Sequence, residues 1–105
     1  MIDPDAIARC VRNNLYVYSL HADIERQADQ LTFAQIESAL LNCEHLEYYP
    51  DTGRGESCLV LGFAGDVPIH IVCGWRCERI VLITVYVPRP PAFVDPWRRG
   101  EKTDA

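Results

Sequence analysis

Residues 67–88, VPIHIVCGWRCERIVLITVYVP, constrain this chain more than any other stretch. β-Branched and aromatic residues dominate it, which favours extended backbone. Its apolar residues fall on both alternating faces rather than on one. Strands of that kind need cover on both sides, or pairing with another copy. The stretch divides into two predicted strands, VPIHIVCGW and ERIVLITVYVP, joined near Arg76–Glu78. SCLVLGFAG precedes them as a further strand, with a tight turn at Gly65 and Asp66. HLEYYP reads as a short strand ended by Pro50, and DTGRGE as a loop.

Upstream, the apolar period changes to that of helices. In DPDAIARCVRNN, Asp3 is placed as N-cap and Pro4 at the first helical position. Ile2, Ala6, Ile7, Cys10 and Val11 form one stripe. NNLYVYS reads either as a brief β segment or as a run into the next helix. Two helices in a hairpin are predicted over about 19–43. Ser19 caps the first, and Thr32 with Gln35 has capping-box spacing at the start of the second. Asn42 stands near the end of that second helix, where left-handed geometry is tolerated.

Prolines 88, 90, 91 and 96 exclude a regular helix or central strand at the end of the chain. An extended arm docked by Phe93 and Trp97 is expected, with a frayed tail over 101–105. The fold class is therefore α+β. N-terminal helices pack on one face of a four-stranded, mainly antiparallel sheet, in a single domain over 1–100. The opposite sheet face is expected to be offered to something else.

A chain of 105 residues buries roughly 65% of its unfolded surface around one core. No window holds 18 consecutive apolar residues, and the N-terminus lacks the basic start and apolar run of an export signal. Five cysteines, an odd number, then read as reduced thiols in a cytoplasm. Net charge is −5, opposite to that of most proteins that grip phosphates. Residues 1–45 carry seven acidic and three basic groups, so any nucleic-acid surface belongs to the second half.

Cys73, Cys77 and His70 are the candidate metal ligands. Zinc needs about four converging ligands, and the cysteine spacing is not that of a zinc knuckle. His70 and Cys73, three apart on one strand, point to opposite faces. No metal and no cofactor is expected, and the thiols read as buried or half-buried. His70 lies mid-strand among apolar neighbours. It is either an interior histidine held by a hydrogen bond or a titratable group on the open face, able to act as acid or base. Arg54, Arg76, Arg79, Arg89, Arg98 and Arg99 follow residue 50. With Trp75, Tyr86 and Trp97 they make either a surface for phosphates and bases or a solvated rim.

The ordered pattern HADIER…LTFAQIESALLN, YPDTGRGESCLVLGF, PIHIVCGW and VLITVYVPRPPAFVDPWRRG resembles the bacterial and archaeal family called domain of unknown function 4258. The resemblance spans about residues 18–99. It rests on His21 and Ala22, Tyr49 and Pro50, His70, Thr84 with Tyr86 and Pro88, and Trp97 with Arg98, with Arg26 near His21. That family is similar in fold to RelE-like toxins of toxin–antitoxin systems, which cleave messenger RNA on a basic concave face, often on the ribosome.

The resemblance implies an RNA groove on the open sheet face, with His70 and Tyr86 catalytic and Arg54, Arg79, Arg98, Arg99 and Trp97 on the RNA. It also implies a partner, either RNA and the ribosome or an antitoxin. This chain departs from the pattern in its acidity and in carrying Asp29 where many members place arginine. Two readings follow: an mRNA-cleaving or RNA-binding toxin, or a non-catalytic interaction domain that pairs with another copy or an antitoxin-like protein.

Overall fold

The computed structural model describes residues 2–51, 53 and 55–100. Helix α1 (Pro4–Arg12) begins where Asp3 accepts from the backbone nitrogen of Ala6 at 2.8 Å. Its buried stripe of Ile7, Cys10 and Val11 enters the core. Asn14, at φ 57, turns the chain into β1 (Tyr16–Tyr18). Ser19 then caps α2 (Leu20–Ala28), accepting from Ala22 at 3.0 Å. Helix α3 (Phe33–Leu41) starts on the complete capping box of Thr32 and Gln35, with bonds of 3.1 and 2.8 Å. Asn42 closes it at φ −136, not in the left-handed region.

Four further strands follow: β2 (Glu44–Tyr49), β3 (Ser57–Ala64), β4 (Val67–Arg76) and β5 (Arg79–Tyr86). Among the described residues the sheet has five strands in the order β1-β5-β4-β3-β2, not four. β1 is the additional one, and it pairs in parallel with β5, so the sheet is mixed. Three residues are too few to show a period, which is why this segment read ambiguously. The long partner fixes it: Ile80 N donates to Leu15 O at 2.9 Å, and Ser19 N to Leu82 O at 3.0 Å.

Cys58, Val60, Ile69, Ile71, Cys73, Ile80, Leu82 and Val85 face the helices and share their core with Ile7, Ile36 and Leu40. Gly62 lies on this face because α3 comes so close. A Cβ there would stand 2.0 Å from the carbonyl oxygen of Ala39.

Past β5 the chain turns back across the other face of the sheet. Phe93 and Arg99 bridge each other, and Gly100 N donates to Ala92 O at 2.9 Å. Residues 88–100 so form a strap. Beneath it Leu59, Leu61 and His70 are as buried as the helix-side core. The expectation of an open second face is corrected by this strap. It closes the end of the face near His70 and leaves open the end near Gly74, where Tyr49, Ser57, Val81 and Ile83 line a concavity of about 460 Å³.

The fold accordingly keeps the α+β class, with helices on one face and a mostly antiparallel sheet. The predicted frayed tail at 101–105 lies outside the described residues.

Candidate functional site

His70 and Tyr86 are direct partners on β4 and β5, and both point away from the helices. His70 Nδ1 is 3.1 Å from the Tyr86 hydroxyl, and Nε2 is 2.6 Å from the Pro96 carbonyl oxygen. A carbonyl can only accept, so Nε2 carries the proton and Nδ1 accepts from Tyr86. The ring of Phe93 stands edge-on to the imidazole at 4.4 Å and 87°. The result is a neutral imidazole with both nitrogens engaged and no exposed surface. Burial lowers its pKa below the ordinary value, against smaller raising effects of the Pro96 hydrogen bond and of Glu47. Burial likewise raises the pKa of Tyr86.

Carboxylates of the edge strand β2 hold the strap down. Glu47 takes Arg99 in a bidentate pair at 2.6 and 2.7 Å, and accepts from the Tyr49 hydroxyl at 2.5 Å. The hydrogen bond from Arg99 is the main reason that Glu47 sits at about 2. The Arg99 guanidinium also lies 4.9 Å from the Phe93 ring centroid. Glu44 accepts from the Trp97 indole nitrogen, and that indole rests 5.9 Å from Phe63.

Residues 18–87 match the family described as Domain of unknown function (DUF4258). The chain belongs to this family. No curated protein and no solved structure matches it. The DUF4258 segment ends at Val87, so the strap that encloses His70 lies outside the matched residues.

Among the described residues, those singled out from the DUF4258 sequence do not converge on one surface. His70 and Tyr86 are together, His70 fully enclosed and Tyr86 half-buried. Arg98 is folded onto Asp95 at 2.7 Å and Arg99 onto Glu47. Trp97 is 52% exposed on the outside of the strap. Arg79 lies at the far end of the sheet, opposite Arg76. Arg54 lies outside the described residues.

His21 is exposed on α2 with Nε2 3.1 Å from Glu25. Arg26 is built into the helix hairpin, bonded to Asp23 and to the Leu31 carbonyl, with its guanidinium 3.9 Å from the Phe33 centroid. Tyr49 braces Glu47, and its pKa is pushed up to about 12, mostly by burial. Thr84 is half-buried opposite Val72.

Among the described residues, no group of three or more His, Cys, Asp or Glu side chains is placed to hold a metal. His70 faces the strap, whereas Cys73 faces the helices across from Cys58. Burial raises the pKa of Cys58 to about 11 and that of Cys43 to about 12. Cys73, fully enclosed, is raised as well.

Sequence reasoning missed the roles of the carboxylates. Glu25 on α2 and Asp29 at its C-cap, one turn apart, accept from Val85 N at 3.1 Å and Val87 N at 2.8 Å. They cap the part of the β5 edge that β1 is too short to reach. The available signal was their i, i+4 spacing at the C-terminal end of α2. Nothing local names the strand they serve.

Proposed function

We propose that this DUF4258 chain is a RelE-like domain that acts by binding a protein partner, not by cleaving RNA. The enclosure of His70 carries this reading. A ribonuclease needs a base beside the ribose 2′-hydroxyl and an acid at the leaving oxygen, both within reach of substrate. His70 has its proton committed to Pro96 and its lone pair to Tyr86, under Phe93. The acidic net charge and the carboxylate-bound arginines of the strap support the same reading. The open end of the outer sheet face, around the exposed Ile83, supplies apolar surface for a second copy or a small antitoxin-like protein.

Induced expression tests it. The expected outcome is no growth arrest and no mRNA cleavage with ribosomes present. A self-associating or partner-bound species should be lost in Ile83→Asp. Growth arrest relieved by His70→Ala with Tyr86→Phe would overturn the proposal in favour of the toxin. A well-folded chain that stays monomeric at high concentration and captures no partner would remove the binding role.

A further inference from the structure

The arginines divide into two groups. Arg26, Arg89, Arg98 and Arg99 each lie against a carboxylate, at 2.8, 3.2, 2.7 and 2.6 Å. Among the described residues, Arg9, Arg12, Arg76 and Arg79 have no such partner. Arg9 and Arg12 stand on the last turn of α1, and Arg76 and Arg79 flank the β4–β5 turn. These two elements meet, since Cys10 Sγ on α1 is 3.9 Å from the Glu78 carbonyl oxygen in the turn. In a chain of net charge −5, the arginines without a carboxylate partner among the described residues stand where these two elements meet.

Between α1 and the turn lies a concavity of about 550 Å³, within the size range of small-ligand sites. Trp75 and Leu15 give it an apolar wall, and both keep surface in contact with solvent. Arg9 lines it, with Cys10, Cys77 and Glu78. Cys77 holds φ +58 in this wall, a left-handed geometry that suits glycine better, and its thiol is exposed. A flat apolar surface beside an unpaired guanidinium matches a ligand with an aromatic body and an anionic group. Glu78, the one acidic residue of the wall, works against a multiply charged ligand.

We propose that this end pocket binds a small organic monoanion with a flat apolar body, the body lying on Trp75 and Leu15 and the anionic group on Arg9. The pocket is remote from the His70 strap. The proposal holds or fails independently of whether the chain cleaves RNA.

The full chain carrying Trp97→Phe leaves Trp75 as the only tryptophan. The probes are the dye 8-anilinonaphthalene-1-sulfonate and its uncharged relative N-phenyl-1-naphthylamine. Saturable one-site binding of the charged dye is expected, with energy transfer from Trp75. Arg9→Gln should weaken the charged dye about five- to tenfold, as expected for one lost charge-assisted contact. It should leave the neutral dye and the melting midpoint unchanged. 2-Naphthoate should displace the dye and slow maleimide labelling of Cys77, and acetate should do neither.

If Trp97→Phe loosens the strap, Trp75→Phe in the otherwise native chain gives the converse readout, and energy transfer must vanish. Absence of saturable binding overturns the proposal. So does equal weakening of both dyes by Arg9→Gln, or labelling of Cys77 that is indifferent to 2-naphthoate.

Discussion

Asp29 Oδ2 accepts from the backbone nitrogen of Val87 at 2.8 Å, one helical turn beyond the bond from Val85 to Glu25. The match is geometric. Four helical residues rise about 6 Å and two strand residues about 6.6 Å, so an i, i+4 pair of carboxylates meets an i, i+2 pair of edge N–H groups. The exposed edge of β5 is thereby satisfied and closed to strand addition. Asp29 also takes Arg89 at 3.2 Å. Asp29 thus serves as a structural acceptor for both the strand edge and Arg89.

Asp29→Ala should therefore destabilise the fold by about 1.5–3 kcal/mol, the range for a hydrogen bond to a charged group. Asp29→Asn should cost less, because an amide oxygen still accepts from Val87. Urea unfolding measures both. An unchanged midpoint in the alanine variant would show that the cap contributes nothing.

Stability should also fall in acid through two separable windows. The folded pKa of His70 lies below the unfolded value of 6.5. Its stabilisation is complete above that unfolded value and is lost as pH falls through the lower folded one. Glu47 is held at about 2 against an ordinary 4.5. Its contribution is complete above 4.5 and fades as pH approaches 2. Denaturant unfolding from about pH 8 to about pH 3 should resolve the two. His70→Gln should flatten the upper window and Glu47→Gln the lower. Identical profiles in all three proteins would disconnect the strap from acid sensitivity.

Phe93 is 3% exposed and is the strap's apolar plug. Phe93→Ala should cost about 3–5 kcal/mol if the site cannot collapse. It should also open the imidazole to reagents. Diethylpyrocarbonate should modify His21 and His45, both exposed, in the native chain and reach His70 only in the variant. Native modification of His70 at the rate of the exposed histidines would contradict the enclosure.

The features legible in the sequence were those whose partners are close along the chain. Asp3 with Ala6, Ser19 with Ala22, and Thr32 with Gln35 are each three residues apart, and each cap formed as its residue types dictate. Alternation along β4 correctly separated His70 from Cys73. The docked arm was foreseen, though only Phe93 is buried, while Trp97 stays half exposed on Phe63 and Glu44. β1 was ambiguous because its identity depends on Ile80–Leu82, more than 60 residues away.

By itself, the sequence determined helices, caps, strands and the chain's need to cover both sheet faces. These follow from propensity, periodicity and hydrogen bonds within a few residues. Only the tertiary structure decided what covers the second face. Pro96 finds His70 across 26 residues of sequence, and Arg99 finds Glu47 across 52. Such contacts form where packing and desolvation favour them over the whole chain, and no local pattern encodes their pairing. They enclose this histidine beneath the strap, with no exposed surface.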